Sequence, residues 1–253
     1  MENNQTTIKI NEGLTLTQNK NGLTFGTDAY LLSAFTQTLP YSSSGKVMAD
    51  LGSGTGIIPL LCAEKKRFSK IYAVEIQESF ASLIEKNAEQ NGFSDIISPV
   101  CCDVRELKAI TLGEEVNVVC SNPPYMKDGA GKRNTYDEKY IARHEVYGEI
   151  NDFCACAKRI LKHGGKFYVV WRPDRLVDLF CAMREARLEP KRMCTVYADT
   201  KSKPAFVLVE AKSGGAPLLE FEPPLFLYTD EITNPRIRTE RIEKIYEKTS
   251  FEI

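Results

Sequence analysis

With 253 residues and a mass of 28.5 kDa, the chain has the length of one large α/β domain with small additions, and 43% hydrophobic residues supply a substantial core. Charge is nearly balanced, 33 Lys+Arg against 34 Asp+Glu for a net of -1, which excludes a globally basic nucleic-acid binder and leaves only local patches for phosphate. Met1-Glu2-Asn3-Asn4-Gln5 has neither the basic start nor the apolar stretch of a signal peptide, and the apolar run Ile57 to Ala63 is too short to span a bilayer. A soluble, cytoplasmic protein with no membrane contact is expected. The eight cysteines (Cys62, Cys101, Cys102, Cys120, Cys154, Cys156, Cys181 and Cys194) form no CxxC pair, and only His144 and His163 are available to help them. No metal site is expected, and small buried thiols in apolar runs suit a reducing compartment.

In chain order, residues 6–24 alternate enough to predict a β-hairpin, with turns at Gly13 and Asn21-Gly22. Gly26-Thr27-Asp28 then opens a helix, with Thr27 or Asp28 as N-cap before Ala29-Tyr30-Leu31-Leu32. Beyond the linker Ser42-Ser43-Ser44-Gly45, strands and helices alternate. Strands are predicted at Val47 to Leu51, Ile71 to Val74, up to Val100-Cys101-Cys102, and at Val116 to Cys120. Helices are predicted at Thr55 to Ala63 and through Asn91, where Gly92 ends the second. A helix over Asn151 to Leu161 is expected to stop at Gly164-Gly165, ahead of a strand over Phe167 to Trp171. Pro173 starts a further helix to about Arg187, and two strands near 192–198 and 205–210 close the series with no helix between them. Such β-α alternation predicts a mostly parallel sheet with helices on both faces and one antiparallel strand near the end.

The run Asp50-Leu51-Gly52-Ser53-Gly54-Thr55-Gly56 sits where a buried strand turns into a helix, and its glycines let a ligand approach the main chain. A dinucleotide-binding GxGxxG would need glycine at Ile57, and no P-loop lysine follows. The acid ahead of the glycines favours a ligand with a cationic amino acid part over a pyrophosphate. Glu75 ends the second strand about twenty residues on, where a carboxylate can accept two hydrogen bonds from ribose hydroxyls. As a strand-end acid it is expected to carry little core energy. Asp103 ends the third strand, placed to accept from an adenine amino group. These three acids share the carboxyl edge of the sheet.

This run resembles the class I S-adenosylmethionine-dependent methyltransferases over about residues 47–212. The resemblance implies a Rossmann-like, seven-stranded sheet with its last strand antiparallel, and S-adenosylmethionine as cofactor. Cofactor contacts are expected at Asp50, Gly52, Ser53, Gly54, Gly56, Glu75, Ile76, Asp103, Val104 and Asn122.

Asn122-Pro123-Pro124-Tyr125 follows the fourth strand and faces the same crevice. An exocyclic aromatic amine is a weak nucleophile because its lone pair is delocalised. The Asn122 side-chain oxygen and the Pro123 carbonyl can accept its two hydrogens and favour a pyramidal nitrogen, with Pro123 and Pro124 stiffening the main chain. Tyr125 offers a face on which a base can stack. Orientation and electrostatic placement carry the catalysis, and no general base is required before transfer. Met126 to Tyr140 reads as a loop beside the site, with Lys127, Lys132 and Arg133 as phosphate contacts. Lys201, Lys203, Arg236, Arg238 and Arg241 are further basic candidates. His144 has either a structural or a substrate-binding role.

The same four residues serve adenine N6 in some enzymes and the glutamine amide of release factors in others. About fifty residues precede Asp50, too few for the helical domain of the second group, which favours RNA with an already unstacked base. Phe25-Gly26-Thr27-Asp28-Ala29-Tyr30-Leu31-Leu32, Ala142-Arg143-His144-Glu145, Trp171-Arg172-Pro173-Asp174-Arg175-Leu176 and Glu210-Ala211-Lys212-Ser213-Gly214-Gly215 resemble the bacterial tRNA1(Val) adenine-N6 methyltransferase family. The likeness implies methylation of adenine 37 beside the anticodon, tRNA as partner, and Thr27 and Asp28 over the cofactor. It departs at the basic, helix-like tail from Pro235 through Tyr246. The expected organisation is an extension at 1–45, a catalytic domain at 46–213 and a C-terminal extension at 214–253, acting as a monomer with no obligatory protein partner. A glutamine N5-methyltransferase and a non-catalytic RNA-binding module are the alternatives.

Overall fold

The computed structural model describes residues 5–19, 26–36, 45–123, 148–231 and 233–251. The Asn21-Gly22 turn, most of the 42–45 linker, Pro124, Tyr125, the 126–140 segment with its basic residues, and His144 lie outside the described residues. β1 (Gln5–Lys9) and β2 (Thr15–Asn19) form an antiparallel hairpin of their own, with Lys9 opposite Thr15. Its turn falls at Gly13 as expected, tied by Asn11 Oδ1, which accepts from the Gly13 and Leu14 amides at 2.9 and 2.8 Å. α1 (Thr27–Thr36) follows, and every residue from Ala29 to Thr36 is buried.

The main sheet alternates β3 (Lys46–Leu51), α2 (Ile57–Glu64), β4 (Phe68–Glu75), α3 (Glu78–Gln90), β5 (Ile97–Cys101), α4 (Ala109–Leu112), β6 (Val116–Ser121), α5 (Ile150–Ile160) and β7 (Leu161–Trp171). A 3-10 turn at Pro173–Arg175 leads into α6 (Leu176–Glu185), β8 (Leu188–Tyr197) and β9 (Pro204–Ser213). The long strands lie in the order β5-β4-β3-β6-β7-β9-β8, all parallel except β9, which is antiparallel to both neighbours. The seven expected strands and the antiparallel last one are present. Two short additions, β10 (Glu220–Phe221) and β11 (Leu225–Phe226), pair in parallel with β8 and bring the sheet to nine strands. α7 (Glu240–Lys248) closes the described chain. Pro99 is tolerated in β5 because that strand is at an edge.

Strand alternation divides the core. Met48, Cys120, Tyr168 and Val170 face one layer with the hairpin, α1, α2, α3 and α7, whereas Ala49, Leu51, Val119 and Val169 face α5 and α6. Two boundaries differ from expectation. Gly164-Gly165 do not stop α5; β7 already begins at Leu161, and the glycines form a bulge where the register to β6 shifts from Val116↔Leu161 to Val118↔Lys166. The 235–246 tail is helical only from Glu240, where Thr239 caps the helix.

Candidate active site

β3 pairs with β4 on one side and β6 on the other, so strand order reverses there and a crevice opens beyond the carboxyl ends. It holds a cavity of about 390 Å³, within the usual range for a small-molecule site. Its lining comes from the glycine loop after β3, the ends of β4, β5 and β6, and the start of α1.

The loop Gly52 to Gly56 takes three left-handed turns, at Gly52, Gly54 and Gly56 (φ +73°, +57° and +83°). At Gly54 a side chain would carry strain, and the open side of the residue faces the cavity. At Gly56 the constraint is packing: a Cβ would meet Ile84 of α3 at 3.3 Å. Gly56 is not in the cavity wall.

The three acids differ in their engagement. Asp50 is buried beneath the glycine loop, outside the cavity wall. Ser53 Oγ donates to its Oδ2 at 2.7 Å and Cys120 Sγ to its Oδ1 at 3.1 Å. Burial pushes its carboxyl up to about 6 despite those two bonds. Asp50 thus lies beneath the loop and not in the cavity wall, because it points to the same sheet face as Met48. Glu75 lines the cavity and is only 6% exposed; its Oε2 accepts from the Gly54 amide at 2.9 Å and its Oε1 from the Gln77 amide at 3.0 Å. It thus ties β4 to the glycine loop, more structural work than a strand-end acid was expected to do. Asp103 also lines the cavity, and the Arg105 guanidinium beside it holds its carboxyl below the usual carboxylate range.

Ile76 and Val104 line the cavity as expected, with Asp28, Gly52, Ser53, Asn122 and Pro123. Thr27 is not in the wall; its side chain meets the Tyr246 hydroxyl of α7 instead. Sequence reasoning missed Gln77, Phe80, Cys102 and Phe153, which also face the cavity. Phe80 and Phe153 follow the apolar spacing of ordinary core helices, so no sequence signal marks them. Asn122, in the cavity wall, donates from Nδ2 to Asp28 Oδ2 at 3.1 Å. Cys120 is buried outside the cavity wall with its Sγ donating to Asp50, and burial and the Asp50 charge push its thiol well above its ordinary value.

Lys201 and Lys203 are exposed on the β8–β9 turn, at the same sheet edge as the end of β7, where Trp171 pairs with Val207. The arginines of the tail are otherwise engaged. Arg236 pairs with Asp199 and lies over the Tyr228 ring, Arg238 lies 4.4 Å over Tyr246, and Arg241 donates to the Pro223 and Pro224 carbonyls. Among the described residues there is no cluster able to hold a metal and no helix long and apolar enough to cross a membrane.

S-adenosylmethionine fits this donor set. The glycine loop offers close main-chain approach, Glu75 and Asp103 offer acceptors at successive strand ends, and Ile76, Val104 and Phe80 offer apolar faces for a base. A protein from Porphyromonas gingivalis named tRNA1(Val) (adenine(37)-N6)-methyltransferase is 27% identical over 187 residues, 73% of this chain and 72% of that one. A protein of the same name from Dyadobacter fermentans is 26% identical over 227 residues, covering 88% and 91%. Among solved structures, a predicted O-methyltransferase from Agrobacterium tumefaciens matches 88% of this chain and 97% of its own with a TM-score of 0.70. At 20% identity that likeness speaks for the fold alone. The family described as Methyltransferase small domain matches residues 20–184, more than half of the chain. The chain belongs to that family, and it is an S-adenosylmethionine-dependent methyltransferase.

Proposed function

We propose that the chain methylates the exocyclic N6 amine of adenine in tRNA, at adenine 37 beside the anticodon of tRNA1(Val), in the cytoplasm. The observation that carries this reading is Asn122 in the cavity wall, its amide anchored to Asp28 and followed by Pro123 in the same wall. The curated relatives that bear this name support the choice of tRNA over other planar amines. The catalytic unit in this reading is residues 46–213, with 1–45 and 214–253 as extensions.

S-adenosylmethionine, when bound, supplies a methyl on a positively charged sulfur; the amine nitrogen takes it as the C–S bond breaks onto sulfur, and the ammonium then sheds a proton to water. Glu75 and Asp103 would accept hydrogen bonds from the sugar and base of the cofactor, while Gly52 to Gly54 would give main-chain contact. Asn122 Oδ1 and the Pro123 carbonyl hold the two hydrogens of the target amine and favour its pyramidal form. Their contribution is preorganisation, since both are fixed before the substrate arrives. Tyr125 is the proposed stacking face for the base, with Lys127, Lys132, Arg133, Lys201 and Lys203 on phosphates.

The test is incubation of the protein and cofactor with unmodified tRNA1(Val), followed by mass spectrometry of its nucleosides. N6-methyladenosine at position 37 is the expected product. Methylation of a release-factor glutamine with tRNA left untouched would keep the chemistry and overturn the substrate.

A further inference from the structure

An asparagine amide has two unlike ends, and only one suits the task given to Asn122. A target NH2 needs acceptors, so Oδ1 must face it; a rotated amide would offer NH2 to NH2 and repel the substrate. Pro123 cannot enforce that choice, because its carbonyl belongs to the backbone.

The neighbour that distinguishes the two ends is Asp28. Asn122 Nδ2 donates to Asp28 Oδ2 at 3.1 Å, across 94 residues of sequence. A carboxylate accepts and does not donate, so it admits only the nitrogen end; the flipped amide would set two oxygens against each other. Asp28 is itself held. Its Oδ1 accepts from the Ala29 amide at 2.9 Å, and Gly26 leaves the room it occupies, since a Cβ there would lie 2.5 Å from that oxygen. α1 carries it on a buried base, with Tyr30 stacked on Tyr246 at 4.1 Å.

We propose that Asp28 is a positioning residue for methyl transfer: it sets the Asn122 amide with its oxygen toward the acceptor amine and, through the charge on the shared bond, makes that oxygen a stronger acceptor. The proposal rests on the planar-amine reading above. It assigns Asp28 an action through Asn122, distinct from the contact with the cofactor that its place in the cavity wall also allows.

A double-mutant cycle separates the two roles. Asp28→Asn keeps the size but lets either end of Asn122 pair with it. At saturating cofactor, its single-turnover rate should fall on the order of 100-fold, the scale of misplacing a reacting group by about 1 Å. Cofactor affinity, measured by calorimetry alongside, reports any separate contact of Asp28 with the cofactor, which saturation removes from the rate. Asn122→Ala should also lose roughly 100-fold, as for one preorganised polar group. Adding Asp28→Asn to Asn122→Ala should then change the rate by less than about twofold. Multiplicative losses, or a loss confined to cofactor affinity, would overturn the proposal. The cycle is run on whichever acceptor the wild type methylates, RNA adenine or a glutamine peptide. A readout free of any acceptor is the Asn122 side-chain NH2 resonance in 15N-asparagine-labelled protein, which should move upfield in Asp28→Asn as the bond to the carboxylate is lost. An unmoved resonance overturns the proposal, whereas a wild type inactive on RNA adenine overturns only the substrate reading.

Discussion

Asp50 and Glu75 are both acids at the carboxyl ends of adjacent parallel strands, yet the molecule uses them differently. Asp50 keeps its proton in the folded protein up to about pH 6, whereas an ordinary aspartate releases it near 3.8. Between those values the folded state binds more protons than the unfolded one, so this group lowers stability as pH rises from about 4 to 6. The full effect is about 3 kcal/mol, from a shift of roughly two units. Asp50→Asn should therefore flatten that part of the stability profile and gain most above pH 6, read as the difference between variant and wild type in urea unfolding at several pH values. Glu75 lies in the cavity wall with a backbone amide on each oxygen. Glu75→Gln keeps the size but presents an NH2 to one of those amides. Cofactor affinity should fall by about 1.5–3 kcal/mol, the range for a bond to a charged group. Calorimetry checks it, and unchanged affinity removes Glu75 from the site.

At the scale of elements, the site depends on α3 as much as on the strands. Asn87 of α3, fully buried, accepts from the Thr17 amide at 2.7 Å and donates to the Thr17 and Thr55 carbonyls at 3.0 and 2.9 Å. One side chain thus fastens the N-terminal hairpin and the glycine loop to the same helix. Asn87→Ala should cost about 1–3 kcal/mol for each buried group it strands, and should loosen the hairpin first. Hydrogen exchange at Thr17 and the unfolding midpoint report the two effects; protection unchanged at Thr17 would refute the link. Nothing in the sequence marks Asn87, because a polar residue inside an amphipathic helix ordinarily faces water. The misreading of Gly164-Gly165 has a similar cause. Glycine pairs end helices by default, and the bulge they form here exists only because β6 lies alongside to fix the register.

For the whole molecule, the tail changes role. A basic 235–246 segment suggests an RNA-binding arm, but its arginines are spent on Asp199, Tyr228, Tyr246 and the Pro223 and Pro224 carbonyls. Ile242 and Ile245 sink into the core beside α1, so the tail braces the helix that carries Asp28. The proposed phosphate contact then rests on Lys201 and Lys203, exposed at the sheet's carboxyl edge. Replacing Lys201 and Lys203 together with alanine should reduce the slope of log affinity for tRNA against log salt by about 1 per lysine. Cofactor affinity should stay as in wild type. A salt slope equal to that of wild type would take both lysines out of the interface.

The parallel sheet, its antiparallel last strand and the strand-end motifs were legible from the chain because they rest on local rules. Alternating periods, glycine at a left-handed turn and proline after asparagine each act within a few residues. The resemblance carried the cofactor and the placement of Asp28, which no local rule supplies. What only the tertiary structure decided is which side of a strand meets which layer. That choice buries Asp50 beneath the loop, brings Phe153 of α5 to 3.5 Å from where a Cβ at Gly52 would sit, and sets Asp28 against Asn122. Contacts between residues 94 apart in sequence depend on packing of the whole chain, and local pattern carries no record of them.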